Sequence, residues 1–366
     1  MRPGPVLENL TQAIAEQCRS GLVPAALRDR VLPRLRRAVP FDAAFWSTVD
    51  PVTLLFTAPH QEHIPPGTVP YFVQNEFLDD DVNKFSALAR DPAGVRTLAQ
   101  ATAGDMDAST RYREIFRPLG LGDELRAVLR SGGACWGCLC LHREDGAPFS
   151  DAETQYVRRV APLLAEGIRA GMLAASVEAC DPADAPGLIV LAADGSFLST
   201  TAAGRRWLDA LGHSDPERFG VPAEIRALAA RLGRAGEALP RLRVQTRAGR
   251  WAVLHASHLP AAGTDAIAVI IDEPSSSELA PVLMLAYGLT NQEQTVTGLV
   301  CRGLATREIA ERLHISVHTV QDHLKSIFDK TGVRSRRALV AAILQEQYLP
   351  RAMTGQAVGR SGFFEA

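Results

Sequence analysis

The sequence lacks the features that would place it in a membrane or among several classes of enzyme. None of its uncharged apolar runs approaches the ~18 residues that a membrane-spanning helix needs. The N-terminal segment MRPGPVLENLTQAIAEQC has no apolar core of a secretory signal. The sequence contains no G-x-x-x-x-G-K-S/T phosphate loop, no nucleophile elbow and no paired carboxylate. We therefore expect a cytoplasmic protein that is not an enzyme.

Neither sign of charge predominates in the sequence. The 366 residues carry a net charge of −2, so the chain as a whole is not an electrostatic binder of nucleic acid. Residues 288–347 differ, with eight basic side chains against six acidic ones. Lysine is scarce, and two of the three lysines, Lys325 and Lys330, lie in this block. Their position indicates a need for a flexible ammonium there in place of arginine's planar guanidinium, with chance as the alternative.

Cysteine is present but lacks metal-binding spacing. The six are Cys18, Cys135, Cys138, Cys140, Cys180 and Cys301. The C-x-x-C pair Cys135 and Cys138 lies in a predicted strand, so we expect the two thiols on opposite faces. Cys138 and Cys140 share a face, with Cα atoms roughly 6.8 Å apart, at the edge of disulfide geometry. No second C-x-x-C completes a zinc set. We interpret the cysteines as small buried hydrophobes, with redox or metal sensing as the alternative, and predict no metal site.

The C-terminal region predicts four short helices. Helix N-caps are expected at Thr290, which forms a capping box with Glu293, and at Thr306, Ser316 and Ser335. The second and third helices are separated by a very tight turn, which is typical of the helix-turn-helix motif, whose second helix enters the DNA major groove. On the third helix, a polar band about 80° wide lies opposite the apolar residues. It contains His318, Gln321, Asp322, Lys325 and Asp329.

The order of residues from about 287 to 347 resembles the LuxR/NarL-type four-helix DNA-binding domain. The matching positions are Leu289, Thr290, Glu293, Gly303, Glu308, Ile309, Ala310, Leu313, Ile315, Ser316, Thr319, Val320, His323, Phe328, Lys330, Gly332, Val333, Ser335 and Arg336. The resemblance implies DNA contacts from Thr306, His318, Thr319, Gln321, Asp322, His323, Lys325, Arg334 and Arg336. It also implies a homodimer contact on the fourth helix through Ala338, Ala341, Ala342 and Leu344.

Two recognition-helix positions leave their roles open. Members of the family often carry Lys or Arg where this chain has Gln321, and a glutamine can read adenine with two hydrogen bonds. Asp322 can accept a hydrogen bond from cytosine N4 but repels phosphates, so a merely tolerated, solvated carboxylate is the alternative. The expected partners are double-stranded DNA as an inverted repeat, a second copy of the chain, and RNA polymerase as a further candidate, with no membrane.

The upstream sequence resembles two sensor-type domains. In 184–273, two strands around Asp194-Gly195, helices, and three more strands resemble a PAS domain. In 1–178, strands at 42–50, 53–58, 123–130 and 134–143, followed by a long helix, resemble a GAF domain. A phosphorylated receiver domain is excluded because LIVLAADG has no acidic pair. His255 and His258 lie on a predicted PAS strand, where structural histidines are favoured over a haem ligand.

The sequence thus predicts an α+β multidomain protein with GAF-like and PAS-like α/β sensor domains before an all-α four-helix DNA-binding domain. The predicted ranges are 1–178 (GAF-like, with N-terminal helices), 184–273 (PAS-like), 274–286 (linker), 287–348 (helix-turn-helix) and 349–366 (disordered tail). The predicted function is a DNA-binding transcriptional regulator controlled by its sensor domains. The alternatives are a small-molecule-processing enzyme targeted to DNA, and a ligand-free protein-interaction scaffold. No cofactor is predicted, and a small-molecule ligand is left open.

Overall fold

The computed structural model describes residues 5–144, 148–178, 185–213, 216–232, 240–261 and 264–345. These residues form two compact units. The N-terminal unit comprises the described residues of Met1–Ser176 and of Ala185–Glu273, which we call its first and second halves. The C-terminal unit comprises those of Val177–Asp184 and Pro274–Ala366. The predicted tail, 349–366, lies outside the described residues. None of the described helices combines the length and the apolar character that crossing a bilayer demands.

The first half is built on a five-stranded antiparallel sheet with the spatial order β2-β1-β5-β4-β3. Its strands are β1 (Ala43–Thr48), β2 (His60–Glu62), β3 (Val95–Thr97), β4 (Leu121–Ser131) and β5 (Ala134–Glu144). Its helices are α1 (Pro5–Arg19), α2 (Pro24–Ala38), α3 (Val69–Phe77), α4 (Phe85–Leu88), α5 (Leu98–Ala101) and α6 (Asp151–Glu178), with short 3-10 or π turns at 66–68, 106–108, 112–116 and 117–119.

The strands predicted at 42–50, 123–130 and 134–143 are confirmed, but the one at 53–58 is wrong. That segment contributes only an isolated bridge between Val49 and Phe56. The carbonyl of Asp50 accepts hydrogen bonds from the amides of Thr53 and Leu54, and Leu54 adopts φ 60°. These contacts fold the chain into a tight turn, so the edge strand β2 forms only after it.

Helix α6 packs closely against α1, α2 and the sheet because small residues line the contact. A Cβ at Gly167 would lie 2.8 Å from Leu27 Cδ2, and one at Gly171 would meet the carbonyl oxygen of Leu22. On the strand side, a Cβ at Gly137 would lie 3.0 Å from Ile168 of α6. One face of the first sheet is therefore covered by the long C-terminal helix of this half.

The expected placement of Cys135 and Cys138 on opposite faces is wrong. The register between β4 and β5 shifts from Leu129 opposite Gly137 to Arg130 opposite Cys135, which leaves Trp136 as an extra residue in a β-bulge. The bulge reverses the alternation, and Cys135, Cys138 and Cys140 all join one buried cluster. Burial raises the pKa of the Cys135 thiol to about 11 and also raises that of Cys138 and Cys140. Among the described residues, the cysteines form no disulfide.

The second half repeats the arrangement of the first. Its five antiparallel strands have the order β7-β6-β10-β9-β8, so in each sheet the first strand lies between the second and the fifth. The strands are β6 (Gly187–Ala192), β7 (Phe197–Thr200), β8 (Arg241–Gln245), β9 (Trp251–Ala261) and β10 (Thr264–Asp272), and the helices are α7 (Ala202–Leu211), α8 (Pro216–Phe219) and α9 (Ala223–Ala230). The predicted hairpin around Gly195, which has φ 78°, is confirmed.

The two halves of the N-terminal unit share a core and a buried ion pair. Arg243 of β8 donates from its guanidinium to the Asp50 carboxylate at 2.9 Å, and the Arg243 amide donates to the same oxygen at 3.1 Å. Leu55 and Val73 of the first half belong to the apolar cluster of the second. The boundary between a GAF-like and a PAS-like domain stays a prediction.

The C-terminal unit is helical. It contains α10 (Ser276–Ala286), α11 (Asn291–Cys301), α12 (Thr306–Leu313), α13 (Val317–Thr331) and α14 (Arg336–Val340), with a π turn at Ala341–Gln345. The segment predicted as a linker, 274–286, thus contains a helix. Its N-terminus is fixed by a capping box, in which the Glu278 carboxylate accepts from the Ser275 amide at 2.9 Å. Ala280 and Met284 of α10 pack against the apolar core that α11 to α14 form.

Candidate nucleic-acid interface

The turn between α12 and α13 is three residues long and tightly constrained. His314 ends α12 in the left-handed conformation at φ 55°, and the amide of Ile315 donates to the carbonyl of Ala310 at 3.0 Å. Ser316 then caps α13 by accepting a hydrogen bond from the amide of Thr319 at 3.0 Å. The two helices are therefore held in a defined orientation, as a helix-turn-helix reader requires.

The N-cap predicted at Thr306 is wrong by one position. Thr306 is the first helical residue, and Ala305 is the N-cap. Ala305 has no side-chain acceptor, so the stabilising contact is the carboxylate of Glu308, which accepts from the Ala305 amide at 2.5 Å. The Thr306 hydroxyl is left available to other elements, and Arg336 of α14 approaches it at 3.5 Å.

Helix α13 presents two chemically distinct faces. Val320, Leu324 and Ile327 are buried in the helical core. The opposite band is exposed and consists of His318, Gln321, Asp322, Lys325 and Asp329. His318 Nε2 and Asp322 Oδ2 lie 3.9 Å apart with both side chains mostly in solvent, so this pair is weak. The band offers donors and acceptors outward, without strong internal partners to compete with a ligand.

The remaining predicted DNA contacts lie around this band. Thr319 and His323 are half-buried on α13, and the Thr319 hydroxyl lies 2.9 Å from that of Ser316, within the cap. Arg334 is exposed in the turn before α14. Arg336 is half-buried beside Thr306, and its Nε has no protein hydrogen-bond partner among the described residues. Thr306, Thr319 and Arg336 thus make local contacts within the unit, whereas Arg334 faces solvent.

Sequence reasoning missed the residue that locks the recognition helix in place. The Glu293 side chain, nearly buried, accepts from the Thr290 amide at 2.7 Å, from the Ser326 hydroxyl at 2.7 Å and from Lys330 Nζ at 2.7 Å. These hydrogen bonds hold the pKa of Glu293 at about 2, against the opposing effect of burial. Lys330 is therefore engaged with Glu293 of α11. No sequence signal beyond the capping box pointed to this contact.

The predicted dimer residues differ in exposure. Ala338 and Ala341 are half-buried, whereas Ala342 is buried within the chain itself. Leu344 lies in the π turn, and its side chain is outside the described part of the structure. Helix α10 packs against this turn. Part of the fourth-helix surface is thus covered by a helix that the sequence analysis treated as a linker.

Comparisons with known proteins bear on the C-terminal unit. Residues 288–343 match the family model described as "Bacterial regulatory proteins, luxR family". The chain is 39% identical over 75 residues to "Response regulator Rre1" of Synechocystis sp., covering 20% of this chain and 32% of that protein. It is 43% identical over 53 residues to "Monoamine regulon transcriptional regulator" of Klebsiella aerogenes, covering 14% and 23%. The chain spans about a third or less of the length of these relatives.

Solved structures resemble the chain only distantly. A GAF domain from a phosphoenolpyruvate-protein phosphotransferase of Coxiella burnetii is 18% identical with a TM-score of 0.33, covering 45% of this chain and 95% of that one. Escherichia coli SdiA is 11% identical with a TM-score of 0.32, covering 92% and 95%. The family match, together with the helix-turn-helix geometry and the exposed polar band, identifies residues 288–343 as a DNA-binding domain of the bacterial LuxR family of regulatory proteins.

Proposed function

We propose that the protein is a dimeric, sequence-specific DNA-binding transcriptional regulator that acts by binding and not by catalysis. The observation that carries this proposal is the exposed band of α13, in which Gln321 and Lys325 point outward while Val320 and Leu324 anchor the helix. A glutamine can recognise adenine and a lysine guanine in the major groove. A protein with this role works in the cytoplasm, where bacterial DNA lies.

The N-terminal unit is proposed to control DNA binding as a pair of GAF-like and PAS-like domains. Each half contains a five-stranded antiparallel sheet with the same strand order and flanking helices. The buried Asp50–Arg243 pair ties the two halves together, so a change in one half has a direct route to the other. Breaking such a buried pair leaves an uncompensated charge, which makes the junction sensitive to displacement.

A cavity at this junction supports a small-molecule signal. It has a volume of about 730 Å³, which suits a small organic ligand. The first half contributes an aromatic wall with Phe45, Phe56 and Phe72, and the second half contributes polar groups at Arg226 and His213. His213 Nε2 donates to the Glu224 carboxylate at 2.6 Å, and this carboxylate raises the pKa of His213 against the opposing effect of burial. Native mass spectrometry of the full-length protein would detect a co-purifying ligand, and its absence across growth conditions would favour a protein-binding scaffold.

The experiment that tests DNA recognition is selection of binding sites from random double-stranded DNA by the full-length protein. Lys325→Ala should weaken binding to the selected site by about 1–3 kcal/mol, with a much smaller effect on unrelated DNA, because a base contact carries sequence information. Arg302→Ala is the matched control, since it removes one positive charge from an exposed position outside the band.

A parallel selection with Gln321→Lys should change the preferred base at one position of each half-site. An unchanged profile would remove Gln321 from the readout. Failure of the folded full-length protein to enrich any sequence, even at low salt, would contradict the proposed function.

A further inference from the structure

A series of buried ion pairs lies on the face of the first sheet that also carries Cys140. Asp81 pairs with Arg111 at 3.4 Å, Arg111 with Glu124 at 2.7 Å, Glu124 with Arg126 at 2.9 Å, and Arg126 with Glu76 at 2.7 Å. All five side chains are at most 1% exposed. We call these residues the ionic chain. It begins and ends with a carboxylate, so it contains three negative charges and two positive ones.

The ionic chain therefore carries one uncompensated negative charge in the interior. Burying an unpaired charge is costly, and proteins normally supply a counter-charge or a metal ion. Asp81 accepts further hydrogen bonds from Asn75, Ser109 and the Arg111 amide. Against the opposing effect of burial, the amide and charge of Arg111 and the Asn75 side chain lower the pKa of Asp81. Hydrogen bonds spread this charge but do not cancel it. The surroundings of the ionic chain therefore favour the binding of an added cation.

Two potential metal ligands lie directly beside the centre of the ionic chain. His142 is the cross-strand partner of Glu124, and Cys140 is the partner of Arg126. His142 is completely buried against the ring of Phe116, with the ring centroids 4.2 Å apart. Neither Nδ1 nor Nε2 of His142 has a hydrogen-bond partner among the described residues. A buried imidazole with both nitrogens unsatisfied is unusual and calls for a partner that the protein itself does not supply.

The three groups are close enough to share one ion. A carboxylate oxygen of Glu124, Sγ of Cys140 and a ring nitrogen of His142 all lie within 4.8 Å of one another. Bond lengths of about 2.0–2.3 Å place tetrahedral zinc ligands roughly 3.3–3.8 Å apart, so the three atoms need to approach one another by about 1.5 Å at most. A carboxylate, a thiolate and an imidazole together suit divalent transition metals of intermediate softness.

We propose that Glu124, Cys140 and His142 form a binding site for a divalent transition metal ion of the Zn²⁺ or Fe²⁺ class. On binding, the Cys140 thiol releases its proton to solvent and coordinates as a thiolate. The ion then adds two positive charges and the thiolate one negative charge, which brings the ionic chain and its metal to neutrality. Each Glu124 oxygen has two lone pairs, so one oxygen can bind the ion while it still accepts from an arginine. Arg111 and Arg126 thereby orient the ligand carboxylate through the hydrogen bonds that they donate to it.

The site was hidden from sequence reasoning because its pattern is not a zinc-finger spacing. Cys140 and His142 are two residues apart on β5, and Glu124 comes from the neighbouring strand β4. Three protein ligands leave at least one coordination position for water or a small ligand. The site is separate from the DNA-binding surface, and its existence does not depend on the proposed function.

The test is the metal content of the full-length protein, expressed in media supplemented with zinc, iron or cobalt. The folded wild type should carry one ion per chain. The cobalt form should show a thiolate-to-cobalt charge-transfer absorption. Cys140→Ser should abolish this absorption, and His142→Gln should lower metal content at least tenfold. Cys138→Ser is the matched control, because Cys138 is equally buried on the same face but outside the three ligands. It should retain both signals.

The proposal is overturned if the folded wild type contains no stoichiometric metal under any of these conditions. It is equally overturned if Cys140→Ser and Cys138→Ser behave alike while circular dichroism shows both to be folded. Should the ligand variants not fold, X-ray absorption of the wild-type cobalt form decides. A coordination shell with one sulfur and nitrogen or oxygen neighbours supports the site, and a shell with no sulfur or with two contradicts it.

Discussion

At the scale of single residues, two glutamates in equivalent capping positions have very different surroundings. Glu293 and Glu308 both accept a hydrogen bond from the N-cap amide three residues earlier. Glu308 is exposed, whereas Glu293 is buried and also binds Ser326 and Lys330 of the recognition helix. The same sequence pattern therefore gives a local cap in one helix and a tertiary anchor in the other.

Glu293→Gln should destabilise the helical domain by up to about 3 kcal/mol near pH 7. A pKa lowered from 4.5 to about 2 corresponds to roughly 3.4 kcal/mol of stabilisation of the ionised form, and the partly exposed Lys330 partner reduces this value. The stabilisation is fully present above the unfolded-state pKa and is lost as pH falls from about 4.5 towards 2. The variant should thus be less sensitive to acid in this range. Urea unfolding of the fragment 274–350, followed by far-UV circular dichroism, measures both effects.

Glu308→Gln is the control for this prediction. It should cost less than about 1 kcal/mol, since it weakens one exposed cap. Equal losses of stability in the two variants would mean that the Lys330 and Ser326 contacts add nothing to the cap.

At the scale of helices and strands, the sequence predicts an element well when the residues of that element determine its structure. It predicts an element poorly when contacts with other segments determine it. The strands at 123–130 and 134–143, the hairpin at Gly195 and the caps at Thr290, Ser316 and Ser335 follow from local rules and are confirmed. The bulge at Trp136 does not follow from alternation, and neither does the helix in 276–286. The bulge depends on how β5 pairs with β4, whereas the helix begins at a local capping box of Ser275 and Glu278 that the sequence interpretation overlooked.

The candidate functional sites also differ in whether the sequence alone could predict them. The polar band of α13 could be predicted because helical periodicity alone separates Lys325 from Leu324. The role of Glu293 in holding Lys330 could not, since 37 residues separate the two side chains. The meeting of Glu124 with His142 requires the register of two strands, which no residue pattern in either strand specifies.

Close packing of α6 on α1 and α2 provides a test at this scale. Gly171→Ala should destabilise the N-terminal unit by about 1–3 kcal/mol or more, because the new methyl group would collide with the backbone carbonyl of Leu22, which cannot rotate away. All four tryptophans lie in this unit, so urea unfolding followed by tryptophan fluorescence reports on it selectively. Gly67→Ala is the control, since nothing lies within 4 Å of a Cβ there. Similar midpoints for the two variants would contradict the close contact.

At the scale of the whole molecule, the modest charge of the DNA-binding domain is the reason to expect the proposed dimer. A net charge of +2 in residues 288–347 gives little phosphate attraction, and one recognition helix reads only a few base pairs. Two linked domains raise affinity through effective concentration. The fourth-helix surface that could join them includes the half-buried Ala338 and Ala341, while α10 packs against the neighbouring turn. The full-length protein, with its N-terminal unit, is therefore the species whose spacing preference is informative.

Inserting about 5 bp between the half-sites of the selected inverted repeat should reduce binding of the full-length protein sharply. Half a helical turn moves one half-site to the opposite face of the duplex, where a two-fold dimer with fixed heads cannot reach it, whereas an insertion of about 10 bp restores the same face.

Ala341→Arg should weaken binding to the intact repeat in a similar way, because it places a long charged side chain in the predicted contact. Binding is measured by fluorescence anisotropy beside the molar mass in solution, since the N-terminal unit can keep the variant dimeric. Equal affinity for all three spacings would mean that the DNA-binding heads are flexibly tethered, and a signal in the N-terminal unit could not then act by changing their relative placement.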